Sequence, residues 1–196
     1  MKIKICGIRR MIDAEYLNFY LPDYAGFIFA PTRRQVSLSD AAKLRNKLES
    51  RIKTVGVFVN EDIELVQKTA REGIIDIIQL HGDEDDEYIK KLGKSVPVIK
   101  AQRVSSRSDI KDYDTDMYLF DTYVKGIYGG TGKSFDWDIL DNIKKPYFLA
   151  GGIDINNIDA ALKTNAFALD ISGGVETDGF KDEKKIKEII EKVRDN

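Results

Sequence analysis

Short apolar runs rich in β-branched and aromatic residues alternate along this chain with longer stretches in which apolar residues recur every three or four positions. The runs occupy residues 2–6 (KIKIC), 24–30 (YAGFIFA), 52–59 (IKTVGVFV), 74–80 (IIDIIQL), 97–104 (PVIKAQRV), 117–121 (MYLFD), 146–150 (PYFLA) and 166–171 (AFALDI). Bounded runs of this length read as strands, and the periodic stretches between them as helices. Ser39 and Asp40 stand where they would cap a helix carrying Ala42, Leu44 and Leu48 on one face. Asn60 precedes a similar run with Ile63, Leu65, Val66 and Ala70, another helix is expected to begin near Asp136, and the last one covers about 182–193. Residues 106–113 carry the least helical pattern of these connections.

Strands alternating with helices predict parallel βαβ units joined by right-handed crossovers, an α/β fold. Eight of them are the number that closes a single (β/α)8 barrel, also called a TIM barrel. At 196 residues the chain is just short for that architecture and leaves little room for a second domain or long insertions, so residues 1–196 are expected to form one barrel domain. An open, doubly wound sheet satisfies the same alternation. The placement of the unusual residues favours the barrel. Cys6, Asp121, Gly151-Gly152 and Asp170-Ile171-Ser172-Gly173 fall at the C-terminal ends of strands 1, 6, 7 and 8, which a barrel gathers on the face that carries chemistry.

Composition narrows the partners. With 42% hydrophobic and 33% charged residues the chain can bury a full core. Its 31 basic and 33 acidic residues nearly cancel, and no Lys/Arg run makes an electrostatic footprint for nucleic acid, so a small-molecule partner is expected. Cys6 is the only cysteine and His81 the only histidine, which excludes internal disulfides and a Cys/His zinc cluster. The N-terminal MKIKICGIRR alternates charged and apolar residues rather than forming a signal peptide, and no span reaches the roughly 20 apolar residues of a membrane helix. A cytoplasmic protein is therefore expected.

GGTGKS at 129–134 ends like a phosphate-binding P-loop, but the pattern requires glycine at position 127, which is Ile; Gly126 comes one residue early. Beside the end of strand 6 the stretch reads instead as a mobile loop that closes over a ligand. Cys6 taken alone is a small buried hydrophobe. Followed by Gly7 at a strand end it is expected to be partly accessible, and as a base it would need a positive neighbour to lower its pKa. Asp121 can cap a turn; equally, a carboxyl at the lip of a packed barrel is partly desolvated, the condition a general acid requires. The glycines after strands 7 and 8, Gly151-Gly152 and Ser172-Gly173-Gly174, suit a phosphate site built from backbone N–H groups.

KICGIRR, GFIFAPTRRQVS, VGVFVN, IIQLHGDE, GGTGKSFDW, FLAGGIDINNI and DISGGVETDGFKD, in this order and spacing, closely resemble the phosphoribosylanthranilate isomerases of tryptophan biosynthesis. The likeness runs from the first strand to the last helix. It implies a (β/α)8 barrel that converts N-(5'-phosphoribosyl)anthranilate to 1-(2-carboxyphenylamino)-1-deoxyribulose 5-phosphate, an Amadori rearrangement that needs neither metal nor cofactor. The resemblance makes Cys6 the general base and Asp121 the general acid. It assigns the anthranilate carboxylate to an arginine after strand 2, which aligns with Arg34, with Arg33 one residue away. Phosphate falls to Gly151, Gly152, Ser172 and Gly173, with His81 lining the pocket and Asp170 supporting the site. One departure is Ser172-Gly173-Gly174, where the family often has Ser-Ser-Gly, so that one hydroxyl donor is missing while the backbone N–H remains. Two related phosphosugar barrels fit less well: indole-glycerol-phosphate synthase relies on a catalytic lysine and an added N-terminal segment, and ribulose-phosphate epimerase on metal-binding histidines. A non-catalytic phosphate-ligand binder is the reading from another class.

Overall fold

The computed structural model describes residues 1–122 and 136–195. Eight parallel strands close on themselves in sequence order: β1 (Lys2–Cys6), β2 (Tyr24–Ile28), β3 (Lys53–Phe58), β4 (Ile77–Leu80), β5 (Val98–Val104), β6 (Met117–Thr122), β7 (Tyr147–Leu149) and β8 (Ala168–Ile171). All eight expected strands are present, most of them trimmed at their ends. Closure comes from β8 pairing with β1, in a register that sets Lys4 opposite Asp170. The open doubly wound alternative is thereby excluded.

Among the described residues, six α-helices accompany the barrel: α1 (Met11–Tyr20), α2 (Leu38–Lys47), α3 (Ile63–Arg71), α4 (Asp86–Leu92), α5 (Ile158–Ala161) and α6 (Glu183–Arg194). The expectation of a helix after every strand is corrected on the β5–β7 side of the barrel. There the described connections after β5 and β6 contain single 3-10 turns, Arg107–Asp109 and Trp137–Leu140, and α5 is one turn long. Two caps differ as well. Ser37, not Ser39 or Asp40, caps α2 by accepting from the Asp40 N–H, because a cap serves the N–H groups two and three residues ahead of it. Asp62 caps α3, while Asn60 adopts a left-handed φ of 49° and turns its side-chain carbonyl to the Asp83 N–H.

Residues of one parity along each strand point into the barrel and those of the other parity point out to the helices. The inner floor is made of Tyr24, Val55, Ile77, Ile99, Leu119, Phe148 and Ala168. Tyr24 and Phe148 meet edge to face at 5.3 Å across it. One step further towards the C-terminal ends, the same parity brings in polar residues, including Lys4, Gln79 and Asp170. The site therefore sits on a packed hydrophobic plug. After β8, a 3-10 turn (Gly173–Val175) leads into a small hairpin of β9 (Glu176–Thr177) and β10 (Phe180–Lys181). Arg10 fastens that hairpin to the end of β1, donating to the Lys181 carbonyl at 2.8 Å while paired with buried Asp13. Phe180 packs against the guanidinium groups of Arg9 and Arg10.

Candidate active site

The C-terminal mouth of the barrel is lined by the polar layer above the plug. Cys6 closes β1 and is 6% exposed, so it is more enclosed than the expected accessible thiol. The enclosure has a backbone cause: Gly26 on β2 stands directly opposite in the β1–β2 register, and a Cβ there would lie 2.6 Å from the Cys6 sulfur. Gly7 adopts a φ of +80°, and a Cβ on it would meet the Arg34 side chain at 2.7 Å. The thiol thus fits against Gly26, while the Arg34 side chain packs over Gly7.

Charge surrounds the thiol. Lys4 is fully buried, its ammonium 2.8 Å from Asp170 and 2.8 Å from the Gln79 side-chain oxygen. Burial works against the Lys4 charge, but Asp170 and the neighbouring Cys6 more than offset it and leave its pKa above the ordinary value. Lys181, also buried, donates to the Ser172 carbonyl at 2.9 Å and pairs with Glu176 at 2.8 Å; burial pushes its pKa down. For Cys6, burial pushes the pKa up and Asp170 adds to the rise, while Lys4 and Lys181 oppose it; the net lies above the ordinary thiol value. The cationic neighbours that a thiolate base requires are therefore in place, yet they do not outweigh desolvation.

Across the mouth, Asp121 on β6 faces the imidazole of His81 just beyond β4, with Nε2 to carboxylate oxygen at 3.4 Å. The His81 Nδ1 lies 2.8 Å from the Gln79 side-chain nitrogen. A row of polar contacts therefore runs from Asp170 through Lys4, Gln79 and His81 to Asp121, from the β8–β1 seam to β6.

Arg33 and Arg34 differ in their surroundings. The Arg34 side chain is 16% exposed, lies over Gly7 and binds Glu176 through two contacts of 2.7 Å, whereas Arg33 is 65% exposed and reaches Glu176 only at 3.3 Å. Glu176 is held down at a pKa of about 2: burial opposes its charge, and Arg34 and Lys181 overcome that.

Gly151 and Gly152 follow β7 with φ of 94° and 67°, left-handed conformations that favour glycine. The loop after β8 presses against the residues that follow them, so closely that a Cβ on Gly174 would stand 2.0 Å from the Ile153 carbonyl oxygen. The turn over Gly173–Val175 leaves its leading N–H groups without an internal acceptor, as any helical turn does. Ser172 turns its hydroxyl inward, donating to the Cys6 carbonyl at 3.0 Å, so it ties β8 to β1. The GGTGKS stretch lies outside the described residues.

The structure thus brings Cys6, His81, Asp121, Arg34, Asp170 and the glycine loops to one mouth. Sequence reasoning missed Lys4, Gln79, Glu176 and Lys181. Strand parity carried a signal for two of them, since Lys4 is two residues before Cys6 and Gln79 two before His81.

The family model for N-(5'phosphoribosyl)anthranilate (PRA) isomerase matches residues 3–192. The N-(5'-phosphoribosyl)anthranilate isomerase of Clostridium acetobutylicum is 51% identical over 202 residues, covering 99% of this chain and 98% of the relative. Among solved structures, phosphoribosyl anthranilate isomerase from Thermotoga maritima superposes with a TM-score of 0.90 at 33% identity, over the whole of both chains. A phosphoribosyl anthranilate isomerase in complex with reduced 1-(o-carboxyphenylamino)-1-deoxyribulose 5-phosphate matches with a TM-score of 0.86 at 31% identity, again over both full chains.

Proposed function

The chain belongs to the N-(5'-phosphoribosyl)anthranilate isomerase family, and on that premise we propose which of its residues carry the reaction. It is a phosphoribosylanthranilate isomerase, catalysing an Amadori rearrangement in tryptophan biosynthesis. The observation that carries the assignment of roles is the inward placement of Cys6 and Asp121 on the polar rim of one mouth, with glycine loops and an arginine around them.

Asp121 protonates the furanose ring oxygen, the C1–O bond breaks and the nitrogen lone pair forms a C1=N iminium. Cys6, reacting through its minor thiolate form, then takes the C2 proton, and the electron pair moves towards the iminium nitrogen to leave an enolamine, which tautomerises to the ketone. The substrate's own nitrogen is the electron sink, the part a cofactor plays elsewhere. Arg34 gives Nε and Nη2 to Glu176 and receives the anthranilate carboxylate on the other edge of its guanidinium, through Nη1 and the second Nη2 hydrogen. Gly152, Gly173 and their neighbours receive the 5'-phosphate on backbone N–H groups. Asp170 holds Lys4 with one carboxylate oxygen, and its other oxygen is buried without a hydrogen-bond partner among the described residues, an acceptor suited to a sugar hydroxyl.

The test follows the loss of anthranilate fluorescence from freshly generated phosphoribosylanthranilate, with wild type beside Cys6→Ala and Asp121→Asn. Each variant is expected to lose about a hundredfold or more in rate, the range for removing a proton-transfer group. Near-normal turnover by either variant removes that residue from the mechanism.

A further inference from the structure

Gln79 is buried inside the barrel, and its amide is gripped from both sides. Its Oε1 lies 2.8 Å from the Lys4 ammonium and its Nε2 lies 2.8 Å from His81 Nδ1. An ammonium only donates, so the amide oxygen must face Lys4, and the amide NH2 must then face His81. Lys4 is itself fixed by Asp170, its partner in the β1–β8 register. An amide N–H facing Nδ1 requires a lone pair there, since a proton on Nδ1 would set two donors head to head. The single imidazole proton is thereby placed on Nε2, the atom 3.4 Å from the Asp121 carboxylate.

We propose that Gln79 is a positioning residue that transmits the fixed orientation of Lys4 to His81 and holds it as the neutral Nε2–H tautomer, so that it donates to Asp121 as the acid loses its proton. The inference rests on the reading of Asp121 as general acid. At rest, 3.4 Å is long for a hydrogen bond. Once Asp121 has given its proton to the ring oxygen, a full carboxylate charge faces the same N–H and the contact becomes charge-assisted, stronger in the transition state than before it. The other charged groups near this imidazole are Lys4, beyond Gln79, and the Arg103 guanidinium, which donates to the His81 carbonyl at 3.0 Å. Among the described residues Gln79 is the partner of Nδ1 and Asp121 the partner of Nε2, so the tautomer follows from the Gln79 amide.

His81 is the only histidine in the chain, so its ring nitrogens can be read without ambiguity in a uniformly 15N-labelled sample. Two-bond proton–nitrogen correlation spectra above pH 7 are expected to show the Nε2–H pattern in wild type. In Gln79→Leu they are expected to show a mixture of both tautomers, with kcat down at least about tenfold and KM little changed. In Gln79→Glu the carboxylate accepts from Nδ1, so the pattern should move to Nδ1–H or to the imidazolium. A wild-type Nδ1–H pattern, an unchanged pattern in folded Gln79→Leu, or a loss confined to KM would overturn the proposal. Failure of the acid assignment looks different: Asp121→Asn would then retain activity while the wild-type tautomer stays Nε2–H.

Discussion

The Cys6 sulfur and Gly26 face each other across the β1–β2 seam with no room for a methyl group between them. An ideal Cβ on Gly26 would lie 2.6 Å from the sulfur and 3.0 Å from the Cys6 Cα, and the second of these neighbours is backbone that cannot swing away. Gly26→Ala is therefore expected to push the thiol off its position, lowering kcat by at least about tenfold, since proton transfer requires the base within hydrogen-bond reach. A fluorescence assay of the purified variant checks this, with its melting temperature reporting the accompanying strain.

Arg34 and Arg33 differ in enclosure and in how they meet Glu176, and the variants should separate accordingly. Arg34→Ala is expected to raise KM by about tenfold or more, because a charge-assisted bidentate contact is lost. Arg33→Ala should stay within about twofold of wild type, as is usual for a solvated surface pair. Arg34→Lys should resemble the alanine variant more than wild type, since an ammonium cannot reproduce the fork. Steady-state kinetics on the three proteins decides it.

Glu176 links stability to pH. Its pKa falls from 4.5 to about 2 on folding, so the unfolded chain binds the proton more tightly than the folded one. The stabilisation is fully present above pH 4.5 and is lost as the pH falls towards about 2. Urea unfolding across this window is expected to give a steep fall for wild type and a shallower one for Glu176→Gln, which lacks the titrating group. Parallel curves for the two proteins would show that other carboxylates carry the acid sensitivity.

Cys6 links reactivity to pH in the opposite sense. Burial holds its thiol protonated beyond the ordinary pKa of 9.0, so the thiolate is a minor species near neutral pH. Alkylation by a small neutral reagent, unambiguous because no other cysteine is present, should rise through a midpoint above that value. Lys181→Met removes a cation that opposes the rise and should move the midpoint further up. A wild-type midpoint below 9.0 would show that Lys4 and Lys181 outweigh burial.

The alternation of apolar runs and periodic stretches was enough to place all eight strands, because inward and outward residues of a closed barrel follow the period of two that the backbone imposes. The strand ends were legible too: Cys6, Asp121, Gly151-Gly152 and Ser172-Gly173 stand where local pattern stops and chemistry begins. Caps were less so, since Ser37, Ser39 and Asp40 compete within one turn and only the path of the chain selects Ser37. What tertiary structure alone decided is how these ends meet. Lys4 reaches Asp170 because β8 returns to β1, and it reaches Gln79, 75 positions away, because the barrel is narrow enough for one lysine to cross part of it. Glu176 meets Arg34 because the chain after β8 folds back as the β9–β10 hairpin, which Arg10 ties to the end of β1. Contacts of this kind depend on the closure, stagger and twist of the whole sheet, to which no local stretch of sequence is sensitive.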